Sequence, residues 1–220
     1  MINTKRLRGM LGWLGMLLPW IVLGLCYAFG YGFPDSISAT YYLDPTVTPF
    51  MIILGSAGIL LISYKGYDKQ DDIVCTLAGL LALGICLFPC SNGSLSSHWP
   101  TVMFSDRVGT FQLTSSISGS IHNACAFGFF ALLAYNSIFL FTKSATKDKS
   151  KMSKNKKRRN IIFIVCGVGM LLSFAAIIPV SIFGWWGGIW AVEAVALAFF
   201  GISWLTKSQI YKFLFKDPEE

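Results

Sequence analysis

Six long apolar stretches dominate this 220-residue chain, at approximately 9–29, 47–64, 73–90, 118–142, 160–183 and 186–206. A bilayer hydrocarbon core about 30 Å thick needs roughly 20 helical residues to cross it, so six crossings and their loops use nearly the whole length. The stretches are continuous rather than alternating, which selects helices over a barrel of short strands. The expected fold class is all-α: a polytopic integral membrane protein with six transmembrane helices, forming a single transmembrane domain over 1–220. The first stretch follows Lys5, Arg6 and Arg8 as a signal peptide would. Its length exceeds the usual signal core of about 7–15 residues, so it reads as a membrane helix.

Charge sets the expected orientation. Of the 18 Lys and Arg residues, all but Arg107 fall in alternate gaps between the stretches. Lys5, Arg6 and Arg8 precede the first stretch, and Lys65 and Lys69 separate the second from the third. The 143–159 loop separates the fourth from the fifth, and Lys207, Lys212 and Lys216 follow the sixth. Cations are held on the cytoplasmic side during insertion, so both termini are expected there.

A composition 54% hydrophobic and 13% charged excludes an ordinary soluble domain. The net charge of +7 does not imply a nucleic-acid partner. Most of it sits in the 143–159 loop, which lacks aromatic residues to stack on bases and suits anionic lipid headgroups. Membrane lipids are the expected partners, with a homo-oligomer left open. Five of the six cysteines lie inside the apolar stretches, where cysteine acts as a small apolar residue. Cys86 and Cys90 lack the histidines of a zinc site.

The gaps differ in content. The 65–72 turn is short enough to make the second and third helices a hairpin, and Asp71 and Asp72 are expected as N-caps. The third helix, rich in Ala78, Gly79, Ala82 and Gly84, is expected near the bundle centre. The 91–117 outer loop carries His98, Trp99, Asp106 and Arg107 and is long enough to act as a lid. The tail 209–215 reads as an interfacial segment.

Few residues could carry chemistry. Glu193 lies one to two turns into the sixth apolar stretch, where a carboxylate is costly without a partner or water. His122 lies at comparable depth on the fourth, so a Glu193–His122 pair is geometrically available. The competing reading is a buried hydrogen bond that only fixes packing. Asn123 is a site candidate through its neighbour, whereas Asn136 reads as interhelical glue. Ser36 and Ser38 follow Pro34 and Asp35, a setting that favours turns and caps. They also stand at the mouth of any outward pocket floored by His122 and Glu193. Those are the residue types of a Ser/His/acid hydrolase, without a nucleophile elbow. His98 and His122 are the only histidines, which excludes a three-histidine zinc site. No metal or cofactor is expected.

The segments Ser36-Ile37-Ser38-Ala39-Thr40-Tyr41-Tyr42, Tyr64-Lys65-Gly66-Tyr67-Asp68, Leu87-Phe88-Pro89 and Gly201–Lys207 resemble a family of uncharacterised bacterial six-helix inner-membrane proteins. That resemblance implies a multi-pass protein of the bacterial inner (cytoplasmic) membrane. More distantly, Ile121-His122-Asn123 with Ala126, Phe130 and Glu193 resembles the DRAM/Sfk group of eukaryotic six-helix membrane proteins, which implies a link to lipid handling.

The leading expectation is a non-enzymatic or not-yet-assignable protein with an outward-facing polar pocket for a lipid headgroup or small amphiphile. His122, Glu193 and Asn123 would bind the ligand, with Ser36, Tyr41 and Trp186 at the mouth. Arg107 would be the one cation within reach, and the long loop would cover the pocket. One alternative is a membrane-embedded lipid hydrolase or transferase using Ser36 or Ser38 with His122. A second is a small transporter or channel subunit, disfavoured because the chain shows no internal repeat and no polar track through its cytoplasmic half.

Overall fold

A computed structural model describes residues 4–92, 106–143, 153–185 and 187–209. It is all-helical, with six α-helices among the described residues: α1 (Thr4–Ala28), α2 (Val47–Ile62), α3 (Lys69–Leu87), α4 (Ser115–Tyr135), α5 (Lys154–Phe183) and α6 (Gly188–Ser208). Five are long and apolar enough to cross a membrane; α2, with 16 residues, is a shorter apolar helix. Large apolar side chains cover the outer surface, such as Leu172 at 65% exposure and Ile52 at 61%. Such a surface is stable in lipid and prone to associate in water, as in a membrane protein.

The helices form a closed ring. Each packs on its neighbours in sequence, and α6 returns to pack along α1. Lys5 Nζ donates to Gln209 Oε1 at 3.3 Å, so the described chain begins and finishes at one end of the bundle. This is the termini end. The loop 29–46, the segments 88–92 and 106–114 and the α5–α6 turn lie at the far end.

Glycine makes the α1–α6 seam. A Cβ on Gly12 would meet Leu205 at 2.6 Å, one on Gly15 would meet Phe200 at 2.3 Å, and one on Gly201 would meet Met16 at 2.1 Å. Small residues let backbones approach where no hydrophobic drive separates helix from lipid. A similar seam joins α2 to α3, where a Cβ on Gly79 would meet the Gly58 carbonyl at 2.5 Å. The small face of α3 therefore packs closely, as expected. The helix is not central, however. It is a member of the ring, with Ile73, Leu77 and Leu80 exposed on its outer face.

Several boundaries differ from the hydropathy reading because polar residues extend the helices. α1 begins at Thr4 and carries its basic residues in helical form. The second half of the basic 143–159 loop is the start of α5, capped by the Ser153 side chain, which accepts from the Lys156 amide at 3.1 Å. The N-cap of α3 is Asp68, not Asp71 or Asp72; its Oδ1 accepts from the Asp71 amide at 3.1 Å. Asp71 and Asp72 lie in the first turn and reach back to the amides of Tyr67 and Gly66, each at 2.8 Å. α4 continues into a π-helical turn, Asn136–Leu140. The segment leading into α4 forms a short antiparallel pairing, β1 (Arg107–Val108) with β2 (Leu113–Thr114). His98, Trp99, Trp186, most of the basic loop and the tail beyond Gln209 lie outside the described residues.

Candidate functional site

The far end is organised by the loop between α1 and α2. Its own hydroxyls fold it into a 3-10 turn, Ser38–Tyr42. Ser36 Oγ accepts from the Ala39 amide at 2.9 Å, and Thr40 Oγ1 donates to the Ile37 carbonyl at 2.6 Å. Thr46 Oγ1 contacts the carbonyls of Thr40 and Leu43 at 2.6 and 2.7 Å. Ser36 is thus the turn's cap, as its Pro-Asp-Ser setting favours. Tyr31 donates to the Asp44 carbonyl at 2.7 Å, and Tyr42 donates to the Cys90 carbonyl. Burial pushes the Tyr42 phenol up, and the neighbouring Cys90 adds to the rise.

Two polar side chains, buried His122 of α4 and half-buried Glu193 of α6, hold this turn. From α6, Glu193 Oε2 accepts from the Ile37 amide at 2.6 Å, with the Ser38 amide also turned toward the carboxylate. From α4, His122 Nε2 lies 3.0 Å from Ser38 Oγ, while its Nδ1 lies 2.8 Å from the Phe88 carbonyl. A carbonyl accepts but cannot donate, so Nδ1 carries the proton and Nε2 is left to accept from the Ser38 hydroxyl. His122 and Glu193 therefore do not pair with each other. They clasp adjacent residues of one loop, which lies between them.

α4 is held in place for this by the segment after α3. Ser118 Oγ donates to the Pro89 carbonyl at 2.8 Å, and the Asn92 amide donates to Ser115 Oγ at 3.0 Å. The 88–92 segment thus fixes the first turns of α4 and supplies the carbonyl that orients His122.

Beneath the turn lies a cavity of about 690 Å³, within the usual range of small-molecule sites. Ser36, Ser38, His122, Asn123 and Glu193 form a polar patch on its wall, and most of the remaining wall is aliphatic or aromatic. The apolar part runs between α4 and α5, past Phe130 and Phe174, to the exposed side chains of Phe127 and Ile178. Phe127 and Phe174 meet edge-on with centroids 5.6 Å apart. The cavity thus joins a polar head region to an apolar region bordered by the lipid-compatible outer surface.

Cys90 also lines the cavity. Burial pushes its thiol up to about 12, and the nearby Glu193 carboxylate adds to that. A thiol so raised stays protonated near neutrality and is a poor nucleophile.

Other candidates lie elsewhere. Tyr41 packs edge-on against Tyr42, with centroids 5.4 Å apart, and joins the core instead of the cavity wall. Arg107 Nη1 donates to the Gln112 carbonyl at 3.0 Å across the short hairpin and does not line the cavity. Asn136 Nδ2 donates to Cys75 Sγ at 3.0 Å inside the bundle, away from the cavity. Among the described residues, no cluster of three His, Cys, Asp or Glu could hold a metal.

The residue that sequence reasoning underrated is Lys207. It looks like an ordinary cation at a helix end, yet it is only 8% exposed. Its ammonium sits 4.8, 4.9 and 5.9 Å from the rings of Tyr67, Phe141 and Phe163. Only the aromatic residues placed around it in three dimensions explain that burial. No protein-family model, curated protein or solved structure matches the chain.

Proposed function

We propose that this protein binds a lipid or lipid-like amphiphile in the cavity beneath the 36–42 turn. The headgroup would lie against Ser38, His122, Asn123 and Glu193, with the tail between α4 and α5. The observation that carries this reading is the juxtaposition in one cavity of a polar patch, centred on buried His122, and an apolar channel bordered by exposed Phe127 and Ile178. A small hydrophilic solute has no use for the channel, and a wholly apolar ligand has no use for the patch. An amphiphile uses both.

The charge pattern supports an orientation with both termini in the cytoplasm and all six helices in the membrane, the shorter α2 included. In that orientation the turn and the polar patch face outward, and the tail region opens toward the outer leaflet. The basic 143–159 loop then faces the anionic inner leaflet.

Native mass spectrometry of the protein, extracted with its lipids, tests the reading. The wild type should retain a phospholipid or similar amphiphile. Ala126→Trp, which fills the cavity one turn from His122, should lose it while remaining folded. Equal retention by the two proteins would contradict the proposal.

A further inference from the structure

The hydrogen bond between Ser38 and His122 does more than fasten a loop. We infer that Ser38 is a nucleophile and His122 its general base, and that the cavity supports acyl transfer from an ester-bearing amphiphile. This rests on the proposed amphiphile site. Three observations carry it.

First, the geometry matches an activated serine. Ser38 Oγ is 3.0 Å from His122 Nε2, within the reach needed for proton transfer, and the Nδ1 contact to Phe88 at 2.8 Å leaves Nε2 as the acceptor. A third group that orients the base is the feature common to such sites. Here it is a backbone carbonyl.

Second, the hydroxyl of Ser38 is available and that of its neighbour is not. Ser38 lines the cavity and bonds only the base, whereas Ser36 Oγ is committed to the Ala39 amide at 2.9 Å. A purely structural serine in this turn would do what Ser36 does and bond the backbone.

Third, the surroundings meet the remaining requirements. Glu193 binds the Ile37 amide and so acts as a positioning residue that holds the serine's own backbone. With those amides engaged, the donor for a developing oxyanion is the side-chain amide of Asn123. It sits next to His122 on the cavity wall and makes no hydrogen bond within the described residues.

The reaction follows. Ser38 Oγ attacks the acyl carbon and forms a C–O bond, and its proton passes to His122 Nε2. The bond to the leaving alkoxide breaks, the alkoxide takes that proton, and an alcohol departs from an acyl-Ser38 ester. Water or a second alcohol then attacks the acyl carbon and gives its proton to His122. Ser38 leaves and is reprotonated, with release of an acid or a new ester. No oxidant, reductant or further reactant is needed.

An alkyl fluorophosphonate tests the inference on the full chain in lipid nanodiscs, because attack by Ser38 expels fluoride and leaves a stable phosphonyl adduct. Peptide mapping should place the adduct on Ser38 in the wild type and in Ser120→Ala. Ser38→Ala should carry none. His122→Gln keeps a hydrogen-bonding side chain but no base, so its labelling should slow by about 100-fold or more. The inference is overturned by an unlabelled wild type, by an adduct on Ser36 or another serine, or by a Ser38 adduct whose rate ignores His122→Gln. Lipid retention measured on the same samples separates the two proposals. A wild type that retains lipid but resists labelling removes the acyl-transfer chemistry and leaves the binding site. A labelled Ser38 without lipid retention does the reverse.

Discussion

Both ends of the bundle carry buried polar groups, but they use them in opposite ways. At the termini end Lys143, Lys207 and Arg8 each have close companions. Lys143 bridges Asp68 at 2.8 Å and Asp71 at 2.9 Å, and so ties the end of α4 to the α2–α3 turn. Lys207 sits among three rings, and Arg8 lies 3.2 Å from the Tyr64 hydroxyl. Burial pushes the Tyr64 phenol up to about 12 despite that guanidinium. Tyr64 and Trp204 fill the space between with an edge-on contact, their centroids 5.2 Å apart. At the far end Ser38, His122 and Glu193 are also hydrogen-bonded, but they border open volume. The difference separates structure from function. Polar groups packed against side chains hold helices together, whereas polar groups that face a cavity, on the proposed reading, meet a ligand.

The largest effect that would sharpen this contrast is expected at Glu193. Glu193→Ala leaves the Ile37 and Ser38 amides without their acceptor, which should cost about 2–3 kcal/mol and free the turn. Glu193→Gln keeps an acceptor and should restore most of that stability. Thermal unfolding in detergent measures both, and equal losses would mean that the charge, rather than the hydrogen bond, holds the loop.

Next comes Gly66→Ala at the termini end. The added Cβ would lie 2.1 Å from Asp71 Cβ, and the forced shift should cost about 1–2 kcal/mol without altering lipid retention. A loss of retained lipid would break the separation between the two ends.

A smaller change is expected for Lys207→Met, which keeps the bulk among the rings and removes a cation–π contact worth about 1 kcal/mol. Unfolding temperature should fall slightly and labelling of Ser38 should not change. A large loss would show that the charge contributes more than the rings and its long 3.5 Å bond to the Phe141 carbonyl supply.

The smallest effect is the pH response of the Lys143 clasp. The hydrogen bond from Lys143 holds the Asp68 carboxyl below its ordinary value. Desolvation pulls Lys143 down, but its bonds to Asp68 and Asp71 outweigh this and leave it raised. A depressed acid stabilises above its unfolded value and loses that contribution as pH falls through its folded value. A raised base stabilises below its unfolded value and loses that contribution as pH rises through its folded value. The clasp should therefore be intact around neutrality and weaken at both extremes. Because Asp68 is exposed, the amplitude should be small and shrink with salt. Comparing wild type with Lys143→Ala across pH checks this, since the two profiles should converge at acid and alkaline extremes.

Much of this arrangement was legible in the sequence, for a simple reason. A bilayer permits few polar residues in a span, so His122, Asn123 and Glu193 stand out against their neighbours. Their partners do not. Glu193 bonds an amide 156 positions away, and an amide carries no mark in a sequence. The choice between Ser36 and Ser38 depends on which hydroxyl the turn uses as its own cap. Asp68 outcompetes Asp71 and Asp72 as the cap of α3 because the helix begins earlier than its apolar face does. Arg107 stood out as the one cation among the far-end loops, yet the hairpin uses it. Isolation in sequence is a weaker signal than burial beside a cavity.

The most direct test of the central claim is a cryo-EM structure of the protein in nanodiscs made from a defined phospholipid. Elongated density should run between α4 and α5, past Phe127 and Phe174, and end in a headgroup within hydrogen-bonding distance of Ser38, His122 or Asn123. A cavity closed by side chains, or lipid confined to the outer surface with Glu193 and His122 still clasping the turn, would contradict the account.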